Sequence, residues 1–299
     1  MDVFLYILNS DRYMEELKEQ KKYKFVPKYL LKKIDVFSKE KIIEKFKFNN
    51  NIVGYSIGLT TLKNISEEKT IQKIENLIKR NLIEDTISTI IFENGYNCSM
   101  EDKLIKKNIL ISNNSSKNVK LKIIPHIIKN MANKSYQLKQ DLELLIIYKD
   151  EDELKNLIRK IPFTIKNIYI YSQNEISSVK VSEDILKDTG LSLGIIKDIK
   201  KVNRFDIIIN FKDDTNFINW VKEKSVIFNI YNNIYYNESK SIIVEDFIFY
   251  SSDNFNFKSN IPSSIYKYNH GFRMKDFVKV KVNNDIVDKE EFYKLVNCS

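Results

Sequence analysis

Between residues 141 and 214 the hydrophobic period switches back and forth between that of a strand and that of a helix. Residues 142–148 form a short β-rich run with one polar interruption, the pattern of a strand covered on both faces. Residues 151–160 place Leu154, Leu157 and Ile158 at i, i+3 and i+4, a single helical stripe. Pro162 ends that helix, because it has no N–H and pushes the residue before it out of the α region. Residues 165–171 predict a second strand. The following helix is predicted to start at Ser182, an N-cap residue followed by Glu183 and Asp184 where the helix dipole favours acids, and to end at Gly190, a C′ glycine. Residues 205–210 supply a third strand. Strands alternating with helices predict right-handed crossovers and a parallel sheet.

The N-terminal half alternates too. Residues 3–8 predict a strand, and helical material follows from Asp11 to about Lys47, with Leu30, Leu31, Ile34, Phe37, Ile42, Ile43 and Phe46 as its inward stripe. Residues 51–59 predict a strand. Ser66 is the N-cap of a helix carrying Ile71, Ile74, Leu77 and Ile78, and residues 86–92 predict the strand after it. The polar stretch 113–118 predicts a loop. After Phe211 the runs are short and β-like, at 225–230, 241–244, 247–250 and 277–282, and Asp288 caps a terminal helix containing Phe292, Leu295 and Val296. The pattern loosens between residues 130 and 140, which places a domain boundary there. The expected fold class is α/β in two lobes: residues 1–138, and residues 139–299 with a Rossmann-like, mainly parallel sheet that lacks a glycine-rich phosphate loop.

The run Thr-Gly-Leu-Ser-Leu-Gly-Ile-Ile at 189–196, followed by Arg-Phe-Asp-Ile-Ile-Ile-Asn at 204–210, resembles the dinucleotide domains of the shikimate dehydrogenase group. The resemblance covers residues 141–214. It implies a first strand running into a glycine-rich turn, where backbone N–H groups meet a pyrophosphate at a helix N-terminus. Residues 149–153 stand at that place here, and they are Lys-Asp-Glu-Asp-Glu. Without glycine the backbone cannot approach phosphates closely, and the carboxylates repel them through a weakly screened gap. No cofactor is therefore expected, and the acidic turn is expected to cap a helix. The group's catalytic lysine and aspartate have no match in the first 140 residues.

Composition adjusts this picture mainly by discounting the charge. The chain has 299 residues, 43% hydrophobic and 30% charged, with a formal charge of +9. A basic protein raises nucleic acid as a partner. Yet 46 Ile, 44 Lys and 33 Asn stand against one Ala, four Pro and six Gly, a bias that an AT-rich bacterial genome explains through codon usage. Arginine, the better phosphate reader, occurs only at 12, 80, 159, 204 and 273. The densest basic stretch, residues 18–47, interleaves lysines with Tyr23, Phe25, Tyr29 and Phe37. It is read as a solvated helix face, with weak nucleic-acid binding as the alternative.

Cys98 and Cys298 are too far apart in sequence to suggest a secreted disulfide framework, and no run approaches the length of a membrane span. A soluble, cytoplasmic protein is expected, with no membrane partner. His126 sits in an apolar run and is expected at the edge of the core. His270, beside Gly271 and Arg273, is expected on a loop, and neither histidine has metal-ligand company. Gly54 and Gly58 lack the Lys-Ser or Lys-Thr pair of a phosphate loop and predict a bulge or close backbone packing. If a ligand binds, the open-sheet rule puts it beyond the carboxyl ends of the parallel strands. That nominates Tyr148, Lys149, Ser172, Gln173, Asn174, Asn210 and Lys212, side chains suited to holding a polar or anionic small molecule. The functional expectation is a non-catalytic binding or interaction module, with a protein among the candidate partners. A divergent NAD(P)- or nucleotide-dependent oxidoreductase is the alternative.

Overall fold

The computed structural model describes residues 3–8, 13–14, 17–18, 23–27, 30–31, 42–58, 67–80, 87–92, 114–137, 141–162, 165, 167–173, 175–212, 216–230, 240–250, 261–266, 273–283 and 285–297. The chain divides into two compact units. One comprises Met1–Asn113 with Ser251–Ser259, and the other Asn114–Tyr250 with Asn260–Ser299.

The first unit holds a four-stranded sheet. Its strands are β1 (Val3–Leu8), β2 (Ile42–Phe48), β3 (Asn51–Gly58) and β4 (Ile87–Phe92), in the order β2-β3-β1-β4. β1 runs parallel to β3 and β4, and β2 is antiparallel to β3. Helix α1 (Glu67–Arg80) sends Ile71 and Ile74 into a core with Leu5, Ile7, Ile57 and Ile90. Ser66, the expected cap of α1, lies outside the described residues.

β2 corrects the sequence reading. Residues 13–14, 17–18 and 30–31 are helical, but 42–48 is a strand. Phe46 and Phe48 are buried while Lys45 and Lys47 are exposed, a period of two. Asn49 and Asn50 follow with φ of 47° and 65°, the two left-handed residues of a tight hairpin turn. An Asn-Asn pair between alternating runs was the signal for this hairpin.

Both glycines of β3 serve packing. A Cβ on Gly54 would lie 2.5 Å from the Phe4 ring, and one on Gly58 only 1.8 Å from the Tyr13 ring. Tyr13 is 1% exposed and has nowhere to move. Gly58→Ala is therefore expected to overpack the first unit and cost about 1–3 kcal/mol, measured as a lower urea midpoint at unchanged slope.

The second unit opens with α2 (Asn114–Gln137), which lies before the boundary placed at 138 by sequence yet belongs with this unit. Its first residues were expected to be a loop. Their polarity belongs to a helix start, and the stripe Ser116, Val119, Lys120, Ile123, Ile124, Ile127 and Ile128 is buried. Then come β5 (Glu143–Ile147), α3 (Glu151–Ile158), β6 (Asn167–Tyr171), α4 (Glu175–Thr189), β7 (Leu193–Ile196), β8 (Ile207–Asn210), β9 (Val226–Asn229) and β10 (Ile242–Phe249). β11 (Ile261–Pro262), α5 (Ser263–Tyr266), β12 (Phe277–Val282), β13 (Asp285–Asp288) and α6 (Lys289–Asn297) complete it.

The predicted strands and α3 are present, with Leu154, Leu157 and Ile158 buried. Gly190 sits at φ 73° past the end of α4, as its C′ role requires. α4 begins at Glu175, however, seven residues before the expected cap. Ser178 is fully buried and stands on the inward line with Val181 and Ile185, so a small polar residue interrupts the apolar stripe that would have announced the helix. Ser182 instead donates from Oγ to Leu193 O, 3.3 Å away. The two runs 241–244 and 247–250 are one strand, β10, passing through buried Glu245 and Asp246 with an irregularity between Val244 and Asp246. The terminal helix follows Asp288 and buries Phe292 and Val296, while Leu295 is exposed.

Candidate functional site

Six strands of the second unit run parallel in the order β7-β6-β5-β8-β9-β10, and β12 and β13 extend the β10 edge antiparallel. The chain builds outward from β5 through β6 to β7, then returns to the other side of β5 with β8. The order reverses between β5 and β8, and the crevice beyond their carboxyl ends is where such sheets receive ligands.

The first turn beyond β5 is built around carboxylates. Tyr148 is buried to 8% exposure, and Lys149 and Asp150 are exposed. Asp150 caps α3, its Oδ1 accepting from Glu153 N at 3.0 Å. Glu153 in turn forms an ion pair with Lys117 of α2, and its Oε2 is buried with no hydrogen-bond partner. Burial lowers the Lys117 ammonium below the ordinary lysine range, against the opposing pull of Asp150. The helix N-terminus is thus filled by the protein's own carboxylate.

Beyond β6, Ser172 is buried and its backbone N donates to Ile196 O at 3.1 Å. Gln173 is exposed, and its Nε2 donates to the Tyr171 hydroxyl at 3.2 Å. Lys212 reaches across from the end of β8, its Nζ 5.5 Å from the centre of the Tyr171 ring. Asn210 is fully buried and its amide is committed: Nδ2 donates to Lys212 O (2.8 Å) and Asn229 Oδ1 (3.3 Å), and Oδ1 accepts from Lys212 N (3.0 Å). The structure therefore gathers Gln173, Tyr171 and Lys212 into one polar group and uses Asn210 to fix the turn beside it. Asn174 and His270 lie outside the described residues. His126 is exposed on α2 and not at the core edge, because the buried positions around it are Ile124, Ile127 and Ile128.

The most unusual side chain was not foreseen. Lys120 is 1% exposed, and its Nζ donates to three backbone oxygens: Asn229 O (3.0 Å), Ile230 O (3.2 Å) and Glu245 O (2.6 Å). It ties α2 to the ends of β9 and to β10. Burial lowers its pKa to about 8 despite the attraction of Asp246 and Glu245. Asp246 is buried as well and raised by that burial, with Ser263 Oγ and Phe247 N donating to its Oδ1. Glu245 pairs with Lys281 at 2.8 Å. A lysine on a mainly apolar helical stripe was the signal, hidden among 44 lysines. Among the described residues no group of three His, Cys, Asp or Glu side chains is placed to hold a metal ion, and no helix is long and apolar enough to cross a membrane.

The second unit carries a Rossmann-type sheet. Its strand order rests on the pairing given above. Solved structures with a likeness to the chain include the Δ1-pyrroline-2-carboxylate reductase of Thermococcus litoralis in complex with NADH and L-proline, at 15% identity and a TM-score of 0.23, over 40% of this chain and 34% of that one. They also include the NAD-dependent malic enzyme of Thermotoga maritima, at 14% identity and a TM-score of 0.25, over 76% of this chain and 59% of that one. A third is shikimate dehydrogenase 1 of Peptoclostridium difficile, at 11% identity and a TM-score of 0.26, over 80% of each chain. The chain thus spans about a third of the reductase and three fifths of the malic enzyme. Likenesses this low decide nothing about activity. No family model matches the sequence, and no curated protein does.

Proposed function

We propose that this protein is a non-catalytic binding or interaction module that keeps a nucleotide-domain scaffold. One observation carries the reading: Asp150 occupies the N-terminus of α3 with its own carboxylate. A pyrophosphate at that turn would compete with a covalently tethered anion, and it would face the unpartnered Oε2 of Glu153. The lysine nearby is committed to Glu153.

A second reading, a divergent NAD(P)- or nucleotide-dependent oxidoreductase, is supported by the reversal of strand order between β5 and β8 with Gln173, Tyr171 and Lys212 clustered close by. Those groups suit a polar or anionic ligand bound without the usual phosphate turn.

A thermal-shift screen of the whole chain against NAD, NADP, S-adenosylmethionine, ATP and nucleotide sugars separates the two. A ligand at ~100 times its dissociation constant stabilises by ~2.7 kcal/mol, a rise of a few degrees in a chain of this size. The module reading expects no such rise. A rise with NAD or NADP that survives moderate salt, and that Lys212→Ala removes, would overturn the argument from the acidic turn and put the nucleotide-dependent reading first.

A further inference from the structure

In the parallel sheet, the crossovers from β5 to β6 and from β6 to β7 run through the α-helices α3 and α4. Those from β7 to β8 and from β8 to β9 each carry a single 3-10 turn among the described residues, Ile199–Arg204 and Asn216–Trp220. The face beneath these turns is therefore thinly covered. Val202, Phe205 and Phe217 plug down onto Leu145, Ile147, Ile208 and Ile227, but Tyr169, Ile199, Ile218 and Val221 stay only partly buried. Trp220 ends the second turn 45% exposed, with Lys200 Nζ 5.4 Å from its ring centre.

The rim of this face is basic. Its exposed residues at 197–204 and 216–224 include Lys197, Lys200, Lys201, Arg204, Lys222 and Lys224, against Asp198 and Glu223. Asp198 is turned onto Lys200 N, and Glu223 pairs with Lys240. Arg204 and Lys222 are engaged by Glu143 and Asp206. The positive field of this rim is carried chiefly by Lys200, Lys201 and Lys224.

We infer that this face docks an acidic amphipathic segment of a protein partner, with carboxylates against the lysines and apolar side chains against Trp220, Ile218, Val221 and Ile199. A half-exposed indole is the kind of anchor that interfaces concentrate. Charge decides the occupant. A second copy related by a twofold axis would bring the same lysines face to face. Single-stranded nucleic acid needs successive stacking platforms, whereas this face exposes one indole, and Arg204 already lies over Tyr169 at 4.3 Å. The inference deepens the interaction-module reading and rests on it.

Trp220 is the chain's one tryptophan, so its emission reports this surface alone. The probe is a helical peptide with Glu on one face and Leu and Phe on the other. Its controls are the same composition scrambled, a Lys-for-Glu counterpart and an oligothymidylate. The acidic amphipathic peptide should shift Trp220 emission to the blue in a saturable, salt-sensitive way. Lys200→Glu with Lys201→Glu should weaken it at least about tenfold without moving the melting temperature, since rim charges act on association more than on the fold. An unmoved emission, equal binding of the scrambled peptide, or binding indifferent to the two substitutions would overturn the inference. So would tighter binding of the oligothymidylate, or a concentration-dependent blue shift with no peptide present, which would mark self-association. If the peptide fails and no cofactor shifts the melting temperature, this surface is lost while the module reading stands. A cofactor shift removes the module reading, and this inference with it.

Discussion

Replacing Lys120 with methionine is expected to destabilise the second unit by about 3–5 kcal/mol, because it removes one partner of a buried charge network. Methionine keeps the length and most of the volume of the side chain, so packing loss is small. What remains is three backbone oxygens, of Asn229, Ile230 and Glu245, that have lost a common donor, and a buried Asp246 that has lost the attraction of Lys120. The urea midpoint at neutral pH measures the loss. A change below about 1 kcal/mol would mean that α2 repacks or that water replaces the ammonium.

The pH dependence of that loss has a definite sign. Lys120 titrates near 8 in the folded protein, below the 10.5 of an unburied lysine, because burial outweighs its acidic neighbours. Between those two values the unfolded chain binds more protons than the folded one, so this group's contribution to stability rises with pH. The wild type should therefore gain on Lys120→Met between about pH 8 and pH 10, and comparison at each pH cancels the titrations the two share. A gap that narrows with rising pH would mean that attraction to Asp246 and Glu245 outweighs burial.

The two kinds of element in this unit differed in how openly the sequence declared them. β5, β6 and β8 are short β-rich runs with apolar centres, and α3 carries its stripe, its acidic cap and a following proline, so local pattern and tertiary position agree. The elements that escaped are those where a polar residue stands inside. Ser178 breaks the stripe of α4, Glu245-Asp246 splits β10, and Lys120 sits on the buried line of α2. The charged ones are tolerated because a partner distant in sequence answers them: Lys281 is 36 residues from Glu245, and Asn229 is 109 from Lys120. Such pairings leave no local trace. The site was legible to a similar extent. The open-sheet rule located the polar group at the ends of β6 and β8, but only the structure shows that Asn210 is consumed by its own turn while Tyr171 joins Gln173 and Lys212. β2 is legible in its alternation of Phe46 and Phe48 with Lys45 and Lys47 and in the Asn49-Asn50 turn that follows, but the same lysines also fit a solvated helix face, so the local pattern alone is ambiguous.

Phe205→Ala is expected to cost about 3–5 kcal/mol, the range for emptying a fully buried aromatic position. Phe205 is 0% exposed, packs edge-on to Tyr169 with ring centres 5.2 Å apart, and closes the turn 199–204 through its N–H to Val202 O. Its neighbours on the sheet belong to regular strands and have little freedom to collapse into the space. The turn above is held to the sheet mainly by Val202 and Phe205, so the loss falls on the cover as much as on the core. Two readouts follow from one substitution. The urea midpoint should fall by about 1 M or more, given slopes of 1–3 kcal/mol/M. Trp220, which ends the neighbouring turn, should shift its emission to the red with no partner present, as the thin cover loosens and the indole gains water. A lowered midpoint with unchanged Trp220 emission would show that the two turns hold to the sheet independently, and that the Trp220 face is set by Phe217 and Ile218 alone.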